Sequence, residues 1–114
     1  MSSARPAVLA YVSAPGSAFA REMAAAFEEE GVPLITEPAT GTAYELAERA
    51  AALSSLGHGI GVDSDALVLA LAVRPRLPYL ELPTRDARAF GHAVARLVAG
   101  RPIQLSDPSP GIRG

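Results

Sequence analysis

Gly59-Ile60-Gly61-Val62-Asp63-Ser64-Asp65-Ala66-Leu67-Val68-Leu69-Ala70-Leu71-Ala72-Val73 is the stretch that decides the fold. Two apolar runs flank a three-residue acidic turn. The second run, Ala66 to Val73, is apolar at every position, so it suits a strand covered on both faces and lying centrally in a sheet. The first, Gly59 to Val62, reads as a shorter strand. Parallel neighbours need a crossover of a dozen residues or more, and Asp63 to Asp65 offers three. The two strands are therefore expected as neighbours across a tight turn, which makes the sheet mixed.

Upstream of this stretch, strands alternate with helices. Ala7 to Val12 is a nearly continuous apolar run, broken by Pro15-Gly16. Ser17 is placed to cap a helix in which Phe19, Met23 and Phe27, with Ala20 and Ala24, form one apolar stripe. Gly31 ends that helix, because the position after the last turn favours a left-handed residue. Val32 to Thr36 reads as the second strand. Thr42-Ala43-Tyr44-Glu45 fits a capping box, and Leu46, Ala47, Ala50 and Leu53 give the helix behind it, ending near Ser55. Downstream, Pro75 to Pro78 reads as a turn and Tyr79 to Leu82 as a fifth strand. Pro83-Thr84 opens a last helix with Asp86 in its first turn and Ala87, Phe90, Val94, Leu97 and Val98 on its apolar face. Gly100 stops it.

The order β-α-β-α-β-β-β-α predicts a three-layer α/β/α domain with a mostly parallel, mixed five-stranded sheet. With 114 residues the chain is expected to be a single domain, its ordered core over about 7–103 and a proline-containing tail at 104–114.

Composition removes several function classes. The net charge is −2 with both signs dispersed, so nothing marks a nucleic acid or an anionic membrane as partner. Without cysteine there are no disulfides, thiol chemistry or thiolate metal sites. No signal-peptide pattern and no run long enough for a bilayer is present, so a cytoplasmic protein is expected. Gly57-His58-Gly59-Ile60-Gly61 resembles a phosphate loop only superficially: the third glycine and the following helix of a dinucleotide fingerprint are missing, as are the Lys and Ser/Thr of a P-loop. Glycines at a helix exit and a tight strand entry explain it as well. Asp63 and Asp65 offer two hard oxygen ligands, too few for a cation site alone, and read either as a solvated turn or as a partner contact. His58 and His92 have neither metal-pair spacing nor a nucleophile beside them. Glu28-Glu29-Glu30 is the odd feature, because negative charge at a helix C-terminus opposes the macrodipole. Three successive acids point to different sides of the helix and cannot share one cation. They read as a solvated helix end or as a docking feature.

Phe27-Glu28-Glu29-Glu30-Gly31-Val32-Pro33 resembles the signature of the small (β) subunit of diol/glycerol dehydratase reactivases. The resemblance continues through Gly41, Ala47 to Ser55, Gly59-Ile60-Gly61-Val62-Asp63, Ala66 to Val73, Leu77-Pro78, and Ala95-Arg96-Leu97-Val98-Ala99-Gly100-Arg101-Pro102-Ile103. It spans about Val8 to Ile103. It departs at Ser64-Asp65-Ala66 and in the Arg- and Ala-rich segment from Leu82 to Gly91. It implies a non-catalytic, chaperone-like subunit that partners a large ATPase subunit. By subunit swapping, such a subunit helps release damaged cobalamin from an adenosylcobalamin-dependent dehydratase. It also implies that Glu29 supplies one ligand to a divalent cation, Mg²⁺ or Ca²⁺, held mainly by the large subunit. No cofactor of its own is expected. Glu28, Glu30, Asp63 and Asp65 are the candidate partner contacts, and an isolated chain would be free to form a homo-oligomer through its docking surface. The alternative is a flavodoxin-like small-molecule-binding domain, such as the medium subunit of a cobalamin-dependent dehydratase.

Overall fold

A computed structural model describes residues 7–74 and 78–100. The elements run β1 (Val8–Val12), α1 (Ala18–Glu30), β2 (Leu34–Pro38), α2 (Ala43–Leu53), β3 (His58–Val62), β4 (Ala66–Leu71), β5 (Pro78–Pro83), a 3-10 turn (Thr84–Asp86) and α3 (Ala87–Ala99). The strands form one sheet in the order β2-β1-β3-β4-β5. β1 pairs in parallel with β2 and β3, while β4 pairs antiparallel with both β3 and β5. The sheet is thus mixed, with its parallel ladders confined to one half. β4 is an interior strand, and β3 takes the middle place.

Topology fixes the layers. The first crossover steps outward from β1 to β2, and the second steps back across β1 to β3. Crossovers of one hand then put α1 and α2 on opposite faces. Alternate residues of β4 show the division: Leu67 and Leu69 pack with α1 and α3, whereas Val68 and Ala70 pack with Ala43, Ala47 and Ala51 of α2. The larger core lies under α1 and α3. There Met23, Phe27, Phe90 and Val94 meet Val8, Val12, Ile60 and Val62, all at most 1% exposed. Complete burial of side chains this size is worth about 1.5–3 kcal/mol each.

Several local boundaries moved by one or two residues from the sequence reading, β2 running on to Pro38 and α2 ending at Leu53, and two of the shifts have an identifiable reason. β2 starts at Leu34 instead of Val32, because Val32 belongs to the end of α1. Its N–H donates to the Phe27 carbonyl while the Gly31 N–H donates to that of Glu28, and Gly31 sits at φ +75°. This paired arrangement closes the helix and places Val32 against Phe27. β4 stops at Leu71, where Ala72 and Val73 enter a turn in which the Arg74 N–H donates to the Leu71 carbonyl. Ser17 and the Thr42–Glu45 capping box act as read: the Ser17 hydroxyl accepts from the Ala20 N–H, and Thr42 and Glu45 exchange both of theirs. Of the turn expected at Pro75 to Pro78, residues 75–77 lie outside the described residues, as does the tail expected at 104–114, while Pro78 opens β5.

Candidate functional site

Where the acidic end of α1 meets α3, six charged side chains form a seam. Arg88, His92 and Arg96 recur every fourth residue and so share one face of α3. The Arg88 guanidinium donates to Glu22 at 3.0 Å and to Glu29 at 2.7 Å. One imidazole nitrogen of His92 lies 2.7 Å from Glu30 and the other 3.3 Å from Glu29. Arg96 donates to the same Glu30 oxygen at 3.0 Å. A neutral imidazole donates from only one nitrogen, so only the doubly protonated ring serves both carboxylates. The helices can approach this closely because Gly91 has no side chain: a Cβ there would stand 2.6 Å from the Met23 carbonyl.

The three glutamates consequently have three different situations. Glu30 is 7% exposed at its side chain and Glu29 53%. Hydrogen bonding from His92 holds the Glu30 carboxyl below its ordinary value of 4.5; burial pulls the other way, and Arg96 adds to the lowering. Glu28 is exposed and borders a groove of about 330 Å³ between α1 and β2, lined by Phe27, Val32, Leu34 and Thr36 among others. The basic stripe of α3 went unread in the sequence, although its spacing was there to be found.

At the opposite end of the sheet, Asp63 is turned inward. Its carboxylate accepts from the Ala43 N–H at 2.8 Å, from Asp65 at 2.7 Å and from Ala66 at 2.9 Å. It thereby fills the start of α2 and closes the β3–β4 turn. Burial would raise its pKa, but these backbone donors outweigh it and leave the carboxyl below 3.8. Open α/β sheets bind ligands beyond the carboxyl ends of their strands where the chain reverses direction, and anions favour a helix N-terminus there. In this protein the anion at the start of α2 is Asp63 itself. Asp65 stays exposed on the turn. The glycines read against a phosphate loop serve packing: a Cβ at Gly59 or Gly61 would lie 2.0 Å from α2 backbone atoms.

Glu28, Glu29 and Glu30 therefore sit at the end of the sheet where β1 begins, and Asp63 and Asp65 at the end where β3 finishes. The structure does not gather them into one surface. Among the described residues, no group of three or more His, Asp or Glu side chains can hold a metal ion. Glu29 is a hard oxygen donor, half exposed at a helix end, so it fits a single ligand lent to a site completed elsewhere. His58, at the start of β3, has a buried Nδ1 without a hydrogen-bond partner. No helix among the described residues is long and apolar enough to cross a membrane.

Comparison with known proteins adds the context that geometry lacks. The chain is similar to a chain of the structure of diol dehydratase-reactivating factor complexed with ADP and Mg²⁺. Identity is 30% and the TM-score 0.76, covering 90% of this chain and 99% of that one. It is likewise similar to glycerol dehydratase reactivase, at 28% identity and a TM-score of 0.77, over 88% of this chain and 97% of that chain. No curated protein matches. Fold and likeness together define an open-sheet α/β domain of the kind found in dehydratase-reactivating factors. Residues 5–104 match the family described as dehydratase medium subunit, and the chain belongs to that family.

Proposed function

We propose that this chain is the small subunit of a dehydratase-reactivating factor, a non-catalytic partner of a large ATPase subunit. In this reading it leaves that partner, takes the place of the medium subunit in an inactivated cobalamin-dependent dehydratase, and so lets damaged cofactor out. The observation that carries the reading is end-to-end likeness: the chain covers 99% and 97% of the two reactivase chains, with no domain left over on their side. The filled start of α2 supports it, because the place where a relative of this architecture would hold an anion is taken by Asp63. Glu29 is the ligand this subunit would lend to Mg²⁺ or Ca²⁺ at the large-subunit interface, and Glu28, with the groove beside β2, lies next to it.

Family membership favours one competing reading, a dehydratase medium subunit. Co-expression of the chain with a reactivase large subunit, and separately with the large and small subunits of a diol dehydratase, tells the two apart. A complex with the ATPase subunit that restores activity to inactivated dehydratase is the expected result. Stable incorporation into an active dehydratase, with no affinity for the ATPase subunit, would establish the medium-subunit reading instead.

A further inference from the structure

We infer that Glu29 is the releasable member of the acidic turn: each of its two basic partners, Arg88 and His92, also contacts a second carboxylate, so Glu29 can leave for a cation on a partner protein while both keep a partner. Arg88 also binds Glu22, and His92 also binds Glu30. When Glu29 swings out, the guanidinium keeps its 3.0 Å contact and the imidazole its 2.7 Å contact. Glu30 has no such freedom. Its carboxylate is nearly buried, and Arg96 and His92 converge on one of its oxygens. Removing it would leave His92 and Arg96, one turn apart on α3, without the carboxylate they share.

Magnitudes favour departure. An exposed ion pair such as Arg88–Glu29 is worth about 0.2–1 kcal/mol, small beside the attraction of a carboxylate to a divalent cation. Arg88 is thus a positioning residue that restrains Glu29 in the free subunit and sets how much of the interface affinity is spent on freeing it. The inference rests on the reading that the chain docks through the end of α1 with a cation at the interface.

Binding of the full chain to the large ATPase subunit, measured by calorimetry with and without Mg²⁺, is the test. Arg88→Gln should tighten the Mg²⁺-dependent binding by about 1.5- to 5-fold, the range set by an exposed pair, and leave Mg²⁺-free binding unchanged. Glu22→Gln should act in the opposite sense, because Arg88 then turns wholly to Glu29. Glu29→Gln should abolish the Mg²⁺ dependence in every background. If Arg88→Gln weakens the complex or changes nothing while Glu29→Gln abolishes the dependence, the restraint is overturned and the metal reading stands. Binding that ignores Mg²⁺ overturns the metal reading and the inference together, and no binding at all overturns the docking reading too. A readout without any partner completes the test. The urea midpoint of the isolated chain should fall far less for Glu29→Gln than for Glu30→Gln; equal losses would show that Glu29 is not expendable.

Discussion

The two faces of the sheet are held by different means. On one, α2 lies backbone against strand: Gly59 and Gly61 of β3 leave no gap, and small residues, Ala43, Ala47 and Ala51, fill the contact. On the other, α1 and α3 stand off on Phe27, Met23, Phe90 and Val94, and are joined to each other by Gly91 and the charged seam. Their carboxylates follow the same division. Asp63 faces backbone donors that cannot move without dismantling a turn and a helix start, whereas Glu29 faces side chains that have alternatives. A carboxylate bound by backbone is committed to the fold, and one bound by shared side chains remains available. That difference is why the docking role is proposed for the end of α1 and not for the Asp63 turn.

The sharpest way to break this comparison is to add one carbon to each face. Gly61→Ala puts a Cβ 2.0 Å from the Ala43 carbonyl, where the obstacle is helix backbone and α2 must lift as a body. A loss of about 3 kcal/mol is expected, the upper end of the cost of overpacking and a large share of the ~5–15 kcal/mol that holds a domain together. Gly91→Ala meets the Met23 carbonyl at 2.6 Å and the Ala26 methyl at 2.7 Å. A pair of helices can slide apart where a helix on a sheet cannot, so its loss should be smaller, about 1–2 kcal/mol. Urea titration of both variants checks the order. A larger loss for Gly91→Ala would mean that the α1–α3 contact is the more rigid one.

Next in size is Asp63. Asp63→Ala removes the acceptor for three backbone donors, including the first N–H of α2, and should cost about 2 kcal/mol. Acid unfolding separates its charge from its geometry. A carboxyl held below 3.8 stabilises fully above that pH and loses its contribution as pH falls through the folded value. Glu30 behaves alike below 4.5. Wild-type stability should therefore decline from about pH 4.5 downward. Asp63→Asn should be less stable at neutral pH and show a shallower decline. An unchanged acid limb would mean that the three donors do not discriminate between carboxylate and amide.

Much of the fold was legible in the chain because its punctuation is local. Gly31, the Thr42–Glu45 box and the three-residue acidic turn each act on neighbours within a few positions, and element order followed from them. The start of β2 was missed by two residues because the helix-closing bond to the Phe27 carbonyl comes from Val32, one residue past Gly31, and apolar character alone does not distinguish the end of one element from the start of the next. The site was less legible. Glu28-Glu29-Glu30 stood out as locally unfavourable, but what offsets it lies some 60 residues on, in the spacing of Arg88, His92 and Arg96. Asp63 read as a turn acid because its third donor, the Ala43 N–H, is brought to it by the crossover and not by sequence proximity. Gly59 and Gly61 posed the same problem: the helix that requires them precedes them in the chain but reaches them only in the fold.

The smallest expected effect tests whether the α2 face carries any restraint that resembles the seam. Tyr44, in the first turn of α2, donates its hydroxyl to Glu81 of β5, a single exposed side-chain pair tying the helix to the edge strand. That hydrogen bond, with some burial and the negative charges of Glu81 and Asp63, raises the phenol above its ordinary 10.0. A phenol whose folded value is raised stabilises the protein below pH 10.0 and loses that contribution as pH rises through the folded value. Ultraviolet titration should show Tyr44 ionising above its ordinary 10.0, and Glu81→Gln should bring it back toward that value. Tyr44→Phe should leave stability at neutral pH almost unchanged, since one exposed pair is all that is lost and the alanine contacts beneath α2 remain. A marked loss in Tyr44→Phe would show that α2 depends on this tether as well as on Gly59 and Gly61. The contrast between a face held by backbone contact and a face held by shared side chains would then have to be redrawn.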